Sequence, residues 1–185
     1  MVDMNRDIWL MRHGATEFSE AGRYCGHTDA PLSSKGRRQA RSTRSNVTKI
    51  AYQHLWSSDL RRCVETARLA TGQEPVIDNR IREFDFGRIE GMRFDDLTLD
   101  LQNGLITFDD FAAPGGETAA VFRARIKPFL DGLPAGRHLV VTHGGVIRLI
   151  LRQTGNDGSV APGDLIHIAA GNDGLKVRDW PQEMR

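Results

Sequence analysis

Two short apolar runs, each ending on a histidine, constrain the fold of this chain most. Residues 8–11 run into Arg12-His13-Gly14, and residues 139–142 run into His143-Gly144-Gly145. Both runs are typical of buried strands that open into glycine-containing turns. If the strands are parallel neighbours, both imidazoles lie at the carboxyl edge of one sheet, where open α/β sheets build their sites. With Arg12, they would then form a pocket that binds an anion and offers it a nitrogen nucleophile.

Composition is that of an ordinary folded protein. The chain has 185 residues, of which 39% are apolar and 26% charged, and its formal net charge is +1. That length suffices for one domain with a sizeable core, so we predict a single domain over 1–185. The near-neutral charge gives no global field that would favour a nucleic acid or an anionic membrane, and we expect neither as a partner.

Cysteine content and the N-terminus bear on the compartment. The two cysteines, Cys25 and Cys63, make no disulfide framework, and free thiols fit a reducing cytoplasm. The first residues, MVDMNRD, lack the apolar stretch of a signal peptide, and no apolar run is long enough to cross a bilayer. We therefore expect a cytoplasmic protein.

Alternating strand and helix patterns predict a largely parallel α/β sheet. Strands are predicted at 8–11, 54–57, 75–78, 138–142, 164–169 and 175–179. Helices are predicted from Ser33 or Ser34 to about 49, from Asp59 to Leu69 with Ser58 as cap, from Thr118 onward, and from Gly145 to Arg152. The sequence GNDG at 171–174 is a hairpin signal, so the C-terminal edge of the sheet should be antiparallel.

Four segments in order resemble the histidine phosphatase superfamily, the phosphoglycerate mutase-like proteins. They read RHGATEFSEAGRYCGHTDAPLSSKGRRQA at 12–40, SSDLRRCVETA at 57–67, REFDFGRIEG at 82–91 and THGGVIR at 142–148. The matches run from residue 8 to about residue 150, and each stands at a strand end or a helix start. The resemblance implies a three-layer α/β/α fold with a mostly parallel central sheet, as in phosphoglycerate mutase.

The resemblance also implies catalytic roles for three residues. His13 would be the nucleophile, because a neutral imidazole nitrogen can attack phosphorus and hold the phosphoryl group covalently. His143, if protonated, would donate to a phosphoryl oxygen that gains charge in the transition state. Glu83 would protonate the leaving alkoxide and later accept a proton from water, with Glu90 as its nearest competitor. The structural alternatives are a core histidine, a helix-capping histidine and a surface salt bridge.

Phosphate binding would fall to Arg12 and Arg62, helped by His143. A guanidinium group matches phosphate oxygens bidentately, which an ammonium group does not. In SSDLRRC the family's arginine position falls on Arg62. Arg61 is rotated from it by about 100° on a helix and should face solvent or the mouth of the pocket. Ser19 stands where the family usually places asparagine, so its shorter side chain is expected to reach a phosphate only through water.

The run CGHTD at 25–29 has the residue types of a metal site but lacks its spacing. Three ligand types occur in five residues, yet no paired CxxC or HxxxH pattern accompanies them. The family's loop has no metal here. We therefore expect neither a metal nor another cofactor.

Residues 84–117 are the least regular part of the chain, and we predict a lid-like insertion over the carboxyl edge of the sheet. They contain five phenylalanines and five acids between Asp95 and Asp110, but only two arginines. Variable loops of this kind often set substrate choice, and we predict that Phe84, Phe86 and Phe94 bind substrate. Repulsion from the acids argues against a substrate with several negative charges.

The predicted function is a metal-independent phosphomonoesterase that acts through a phosphohistidine on a small phosphate ester. The stretches GRYCGHTDAPLSSKG, REFDFGRIEG and PGGET are similar to those of α-ribazole phosphatases of cobalamin biosynthesis, which implies α-ribazole 5'-phosphate as the substrate. Three alternatives remain open: a phosphoglycerate mutase, a broad-specificity phosphatase, and a non-catalytic phosphate-binding module. A homodimer is also left open.

Overall fold

A six-stranded sheet forms the centre of the protein in the computed structural model, which describes residues 6–171 and 174–179. The strands are β1 (Arg6–Arg12), β2 (His54–Ser57), β3 (Val76–Ile77), β4 (Gly136–Thr142), β5 (Leu165–Gly171) and β6 (Gly174–Asp179). Their order in the sheet is β3-β2-β4-β1-β5-β6. All six fall where the sequence predicts strands.

The sheet is mostly parallel, with an antiparallel edge. Strand β1 pairs in parallel with β4, and β4 pairs in parallel with β2, which pairs in parallel with β3. Strands β5 and β6 are antiparallel to their neighbours, as the hairpin signal predicts. Residues 172 and 173 of the predicted turn lie outside the described residues.

Seven α-helices connect the strands within the described ranges. They are α1 (Glu17–Glu20), α2 (Ser34–Ser42), α3 (Arg44–Val47), α4 (Arg61–Thr71), α5 (Leu99–Thr107), α6 (Ala119–Asp131) and α7 (Gly144–Arg152). The helix predicted from Ser33 or Ser34 to about 49 is therefore two helices, separated at Thr43. Its hydroxyl donates to the carbonyls of Gln39 and Gly163 and so ties this point to the loop before β5.

The predicted Ser58 cap of the next helix is wrong. The helix begins at Arg61, and the extended residue Leu60 occupies its N-cap position without a side-chain hydrogen bond. The Ser58 hydroxyl is buried and lies 2.9 Å from Nε2 of His143. The serine at this helix start is therefore used by the second histidine rather than by the helix.

Two apolar layers sandwich the sheet, which confirms the three-layer α/β/α prediction. One layer packs Val47 of α3 and Cys63, Ala67 and Ala70 of α4 against β1, β2 and β4. The other packs α6 and α7 against the opposite face, through residues such as Phe122 and Ile147. These elements hold the strand ends in place by burying apolar surface, which is the main favourable term in folding. In the part of the chain that the structure describes, no helix is long and apolar enough to cross a membrane.

The 84–117 segment packs into the second layer. It contains two 3₁₀ turns, Gly87–Ile89 and Phe94–Asp96, followed by α5. Five of its apolar side chains, besides Ala113, are buried in the core; they are Phe84, Ile89, Leu97, Leu105 and Phe111. The segment is thus anchored by its own apolar residues, and its role as a lid stays a prediction.

Candidate active site

The two motif histidines meet at the carboxyl edge of the sheet. Arg12 and Thr142 are register partners at the ends of β1 and β4, and the histidines follow them directly. The His13 amide donates to the Thr142 carbonyl at 3.0 Å, so the pairing continues by one residue beyond the strands. The two imidazole rings lie edge to face with their centroids 5.1 Å apart.

His13 is held as a neutral imidazole with one nitrogen available. Its Nδ1 lies 2.7 Å from the Gly14 carbonyl oxygen, which can only accept, so Nδ1 carries the hydrogen and Nε2 keeps a lone pair. Burial, followed by the charges of Arg62 and Arg12, holds the pKa of His13 well below its usual range. The neutral form is the one that can act as a nucleophile.

The loop that carries His13 is fastened to α2 and α4. The Gly14 amide donates to the Thr66 hydroxyl, and the Ala15 amide donates to the Gln39 side chain. A Cβ on Gly14 would lie 2.4 Å from the Gly36 carbonyl oxygen, and one on Gly36 would lie 2.0 Å from that of Ala15. Backbone therefore packs on backbone here, which requires glycine at both positions.

His143 is the more deeply buried histidine. It occupies the N-cap position of α7, but its side chain makes no capping hydrogen bond. Nε2 lies 2.9 Å from the Ser58 hydroxyl and 3.4 Å from the Cys63 sulfur. Burial, together with Arg62 and other nearby cations, holds the pKa of His143 well below its usual range, so the imidazole is neutral in the ligand-free protein. The protonated form in the sequence prediction would require a bound anion.

Two arginines flank the histidines, Arg12 half-buried and Arg62 fully buried. Arg12 donates from Nη1 to the Val160 carbonyl, and Arg62, fully buried, donates to the carbonyls of Thr28 and Gly26. In both arginines the Nε donor is buried without a hydrogen-bond partner. A buried unpaired donor of this kind is costly unless something fills the place of the partner, and an anion would do so.

The 25–29 loop wraps around the two neighbouring arginines of α4. Arg62 points inward to its carbonyls, while Arg61 is largely exposed and donates to the carbonyl of Asp29. The expected difference between Arg61 and Arg62 is therefore present in the structure. Within 6–171 and 174–179, no group of three or more His, Cys, Asp or Glu side chains is arranged to hold a metal ion.

Glu83 reaches the site from the chain that follows β3. Its carboxylate accepts hydrogen bonds from the amides of Phe84 at 2.9 Å and Gly145 at 3.1 Å, and it is 8% exposed. A Cβ on Gly145 would lie 2.2 Å from Oε1, which explains why glycine is needed there. Glu90, the competitor, instead accepts from the amides of His27 and Thr28 in the 25–29 loop.

The salt-bridge alternative for Glu83 finds no support among the described residues. The neighbouring arginines have other partners: Arg80 pairs with Asp78, and Arg82 pairs with Asp59. The carboxylate of Glu83 faces the same cavity as His13 and Arg12. Its position fits a proton donor, and that role stays a prediction.

An open cavity of about 410 Å³ brings most of the predicted site residues together. Its walls include Arg12, His13, Ser19, Glu83, Phe86 and Phe94. Arg62 and His143 are fully buried and do not line this cavity, and the ring of His143 packs edge to face on that of His13. Phe84 does not line this cavity: it is 1% exposed and packs against the rings of four other phenylalanines.

Ser19 lies on the cavity wall but is engaged locally. Its hydroxyl donates to the carbonyl of Thr16 at 3.0 Å and accepts from the Thr16 amide at 2.9 Å, which completes a capping box at α1. The Thr16 hydroxyl in turn accepts from the Ser19 amide. A direct phosphate contact would require Ser19 to give up this cap.

The cavity residues that were not predicted from the sequence include three with long polar side chains: Arg23, Tyr24 and Arg148. Arg148 stands in the quoted segment THGGVIR, one helical turn after Gly144. Its position in the first turns of a helix that starts at the carboxyl edge was the signal that could have identified it. Tyr24 and Arg23 lie in the loop after α1 and carry no comparable signal.

A histidine titration tests the electrostatics of this pair. We expect both His13 and His143 to stay neutral at pH 6 in phosphate-free buffer, because burial and arginine charge lower both pKa values. Protonation should begin only as the pH falls further. The measurement is the pH dependence of the imidazole proton resonances, assigned with H13Q and H143Q; a midpoint near 6.5 for either ring would contradict the prediction.

Comparisons with known proteins agree with this geometry. The model of the histidine phosphatase superfamily (branch 1) matches residues 8–176. A protein of Enterobacter sp. (strain 638) named "Probable phosphoglycerate mutase GpmB" is 34% identical over 148 residues, which are 74% of this chain and 69% of that protein. Both matches span most of this chain.

Two solved structures are similar over nearly the whole chain. A phosphoglycerate mutase from Thermus thermophilus is 37% identical with a TM-score of 0.80, covering 97% of this chain and 96% of its own. An Escherichia coli protein described as "a putative alpha-ribazole-5'-P phosphatase" is 29% identical with a TM-score of 0.79, covering 94% of each chain. The family match spans most of the chain, and the protein belongs to the histidine phosphatase superfamily, whose enzymes are phosphatases or mutases.

Proposed function

We propose that the protein is a metal-independent phosphomonoesterase that forms a phosphohistidine at His13. One observation carries the proposal: the neutral imidazole of His13 keeps Nε2 free and lies near Arg12 and Arg62, whose Nε donors are both buried and unpaired. Arginine charge and hydrogen bonds can supply the stabilisation that other phosphatases obtain from a metal. This combines a nucleophile and an anion-binding site in one pocket.

In the first step, Nε2 of His13 attacks phosphorus. The new N–P bond forms as the P–O bond to the leaving alcohol breaks, and the electron pair stays on the leaving oxygen. Glu83, in its protonated form, gives that oxygen a proton, which a poor leaving group needs. Arg12 and Arg62 hold the remaining phosphoryl oxygens, and an alcohol is released.

In the second step, water replaces the alcohol. The oxygen of the water attacks phosphorus while the Glu83 carboxylate takes a proton from the water. The N–P bond breaks, which releases phosphate and returns His13 to its starting state. His143 faces this centre from the buried side, beside Ser58. Burial and, after it, the charges of Arg62 and other cations lower the pKa of His143. A bound phosphoryl dianion offsets those charges, so the imidazole can take a proton from solvent and donate it to a phosphoryl oxygen while the phosphoryl group is present.

The charges on the wall of the open cavity favour phosphatase activity over mutase activity. Besides Arg12, the cavity wall carries the cations Arg23 and Arg148. Arg148 is already paired bidentately with Asp157, at 2.7 Å from Nε and 3.2 Å from Nη2. A mutase must retain a substrate with a second negative group, and of these two cations only Arg23 has no carboxylate partner across the residues that the structure describes and is left to bind it.

For the substrate we propose an aromatic riboside monophosphate, with α-ribazole 5'-phosphate as the leading candidate. The aromatic rings of Phe86 and Phe94 on the cavity wall support it, as does the likeness to the Escherichia coli protein named above. Stacking on such rings can contribute about 1 kcal/mol. The mutase alternative is supported by the names of two of the relatives. The products formed from phosphoglycerates decide between the phosphatase and the mutase.

The covalent step is tested first. We expect H13A to abolish turnover of 4-nitrophenyl phosphate, because no other nucleophile is proposed. The wild type, quenched during turnover of a ³²P-labelled ester, should carry acid-labile phosphate on His13. As a control, H167Q changes a histidine that pairs with Asp7 near the other end of β1 and should remain active. Label on a serine or an aspartate would refute the mechanism.

The proton donor is tested by the leaving group. We expect E83Q to slow phosphoenzyme formation from alkyl phosphates by about 10²–10⁴-fold and to spare 4-nitrophenyl phosphate, whose leaving group departs with little proton help. The measurement is single-turnover phosphoenzyme formation on both esters. E90Q is the matched control, since Glu90 binds loop amides and should show no dependence on the leaving group. Equal losses in E83Q on both esters would remove the role from Glu83.

A comparison of substrates separates the candidate activities. We expect net phosphate release, with the highest kcat/KM for α-ribazole 5'-phosphate among that ester, 3-phosphoglycerate and simple sugar phosphates. The assay measures phosphate release on all of them side by side, together with interconversion of 2- and 3-phosphoglycerate. Interconversion faster than release would establish a mutase instead. A flat profile would leave a broad-specificity phosphatase and remove the α-ribazole assignment.

A further inference from the structure

A second and smaller cavity opens beside the proton donor. Its volume is about 110 Å³, and its walls are more apolar than those of the open cavity. Four residues line both cavities: Tyr24, Phe86, Gly145 and Arg148. The smaller cavity, called here the side cavity, is therefore a recess of the same site rather than a separate pocket.

The side cavity lies on the leaving-group side of the site. Gly145, which lines it, donates its amide hydrogen to Oε2 of Glu83 at 3.1 Å. If Glu83 protonates the leaving oxygen, the rest of the leaving group begins at this point. The side cavity is thus the nearest apolar space into which the leaving group can extend.

The far wall of the side cavity is built at a conformational cost. Phe108 ends α5 in the left-handed conformation, with φ at 59°, and it is the one non-glycine residue with positive φ in the described part of the chain. Its ring packs on Phe84, with centroids 5.0 Å apart, and both residues line the cavity. Such backbone strain persists where the surroundings enforce it, and it clusters at ligand-binding sites.

Two fixed cations complete the walls. Arg152 donates to the carbonyls of Thr107 and Ile106, just before Phe108, and Arg148 and Arg152 both pair with Asp157. Asp157 and these carbonyls hold both arginine side chains in place. The two side chains can therefore contact a ligand with little further loss of conformational entropy. Arginine contacts favour an aromatic face over a saturated ring of the same size.

We propose that the side cavity binds a compact aromatic group of the leaving alcohol, as a subsite for the part of the substrate beyond the ester oxygen. This rests on the proposed function, because Glu83 defines the leaving-group side. An apolar cavity of about 150 Å³ holds benzene. The side cavity, at about 110 Å³, is smaller than that but opens into the main cavity, so one aromatic ring can enter it while part of the ring stays in the main cavity.

Binding of three phosphonates to the wild-type protein tests the subsite without relying on turnover. In benzylphosphonate, methylphosphonate and cyclohexylmethylphosphonate, a carbon atom stands where the ester oxygen would be. We expect calorimetry to show benzylphosphonate binding about tenfold or more tightly than methylphosphonate, and also more tightly than the cyclohexyl compound. Equal affinity for the benzyl and methyl compounds would overturn the subsite, and equal affinity for the two rings would overturn its aromatic preference.

Variants locate the effect. L105W should fill the side cavity from α5 and bring the ratio of benzyl to methyl affinity close to one. I106W, at the next position of the same helix where the side chain is 54% exposed, should keep the wild-type ratio. If circular dichroism shows L105W unfolded, L149F tests the same point from α7. A preserved ratio in a folded filling variant would overturn the location.

The two proposals fail in distinguishable ways. A protein that prefers benzylphosphonate but hydrolyses no phosphate ester retains the subsite and loses the proposed phosphatase activity. A protein that hydrolyses esters through His13 but binds all three phosphonates alike retains the phosphatase activity and loses the subsite.

Discussion

The parallel pairing of β1 with β4 is the interaction on which the site depends. Its register places Arg12 opposite Thr142 and so brings two histidines from distant parts of the chain to adjacent positions. Both strands are central in the sheet and are covered by apolar layers on both faces. A slip of one residue would turn every side chain of a strand to the other face and would bury the wrong set. Core packing thereby fixes the distance between the two imidazoles.

Burial near fixed cations then sets the chemistry of the pair. Removing an imidazole from water disfavours its charged form, and nearby arginines disfavour it further. For His13 both effects act in the same direction, and the Gly14 carbonyl decides which nitrogen keeps the lone pair. The arginines that suppress histidine protonation are also the groups that would bind the phosphate. His13 is therefore held in the neutral form that the proposed nucleophile requires.

Much of the fold and of the candidate site could be predicted because those features are local. Strand positions follow from apolar runs, and the site positions of Arg12, His13 and His143 follow from strand ends. The misplaced Ser58 cap shows the limit, because a serine before a helix signals a cap whether or not a tertiary partner competes for its hydroxyl. The same limit applies to Phe84: five phenylalanines in one segment indicate an aromatic region, but only the packing shows that Phe84 and Phe111 are the buried ones. The placement of Arg148 on the cavity wall depends on the direction in which α7 runs, and composition does not reveal that direction.

The contact between the His13 loop and α2 has a consequence for how such a protein can diversify. Gly14 and Gly36 meet through backbone atoms alone, leaving no side chain whose rearrangement could absorb a change. The half of the site that is proposed to hold the phosphoryl group is consequently intolerant of even a methyl group at these two positions. The opposite half, formed by the loop after α1 and the 84–117 segment, meets the cavity through side chains such as Tyr24 and Phe94. New specificities can arise there by ordinary side-chain replacement, while the backbone-packed half keeps its chemistry.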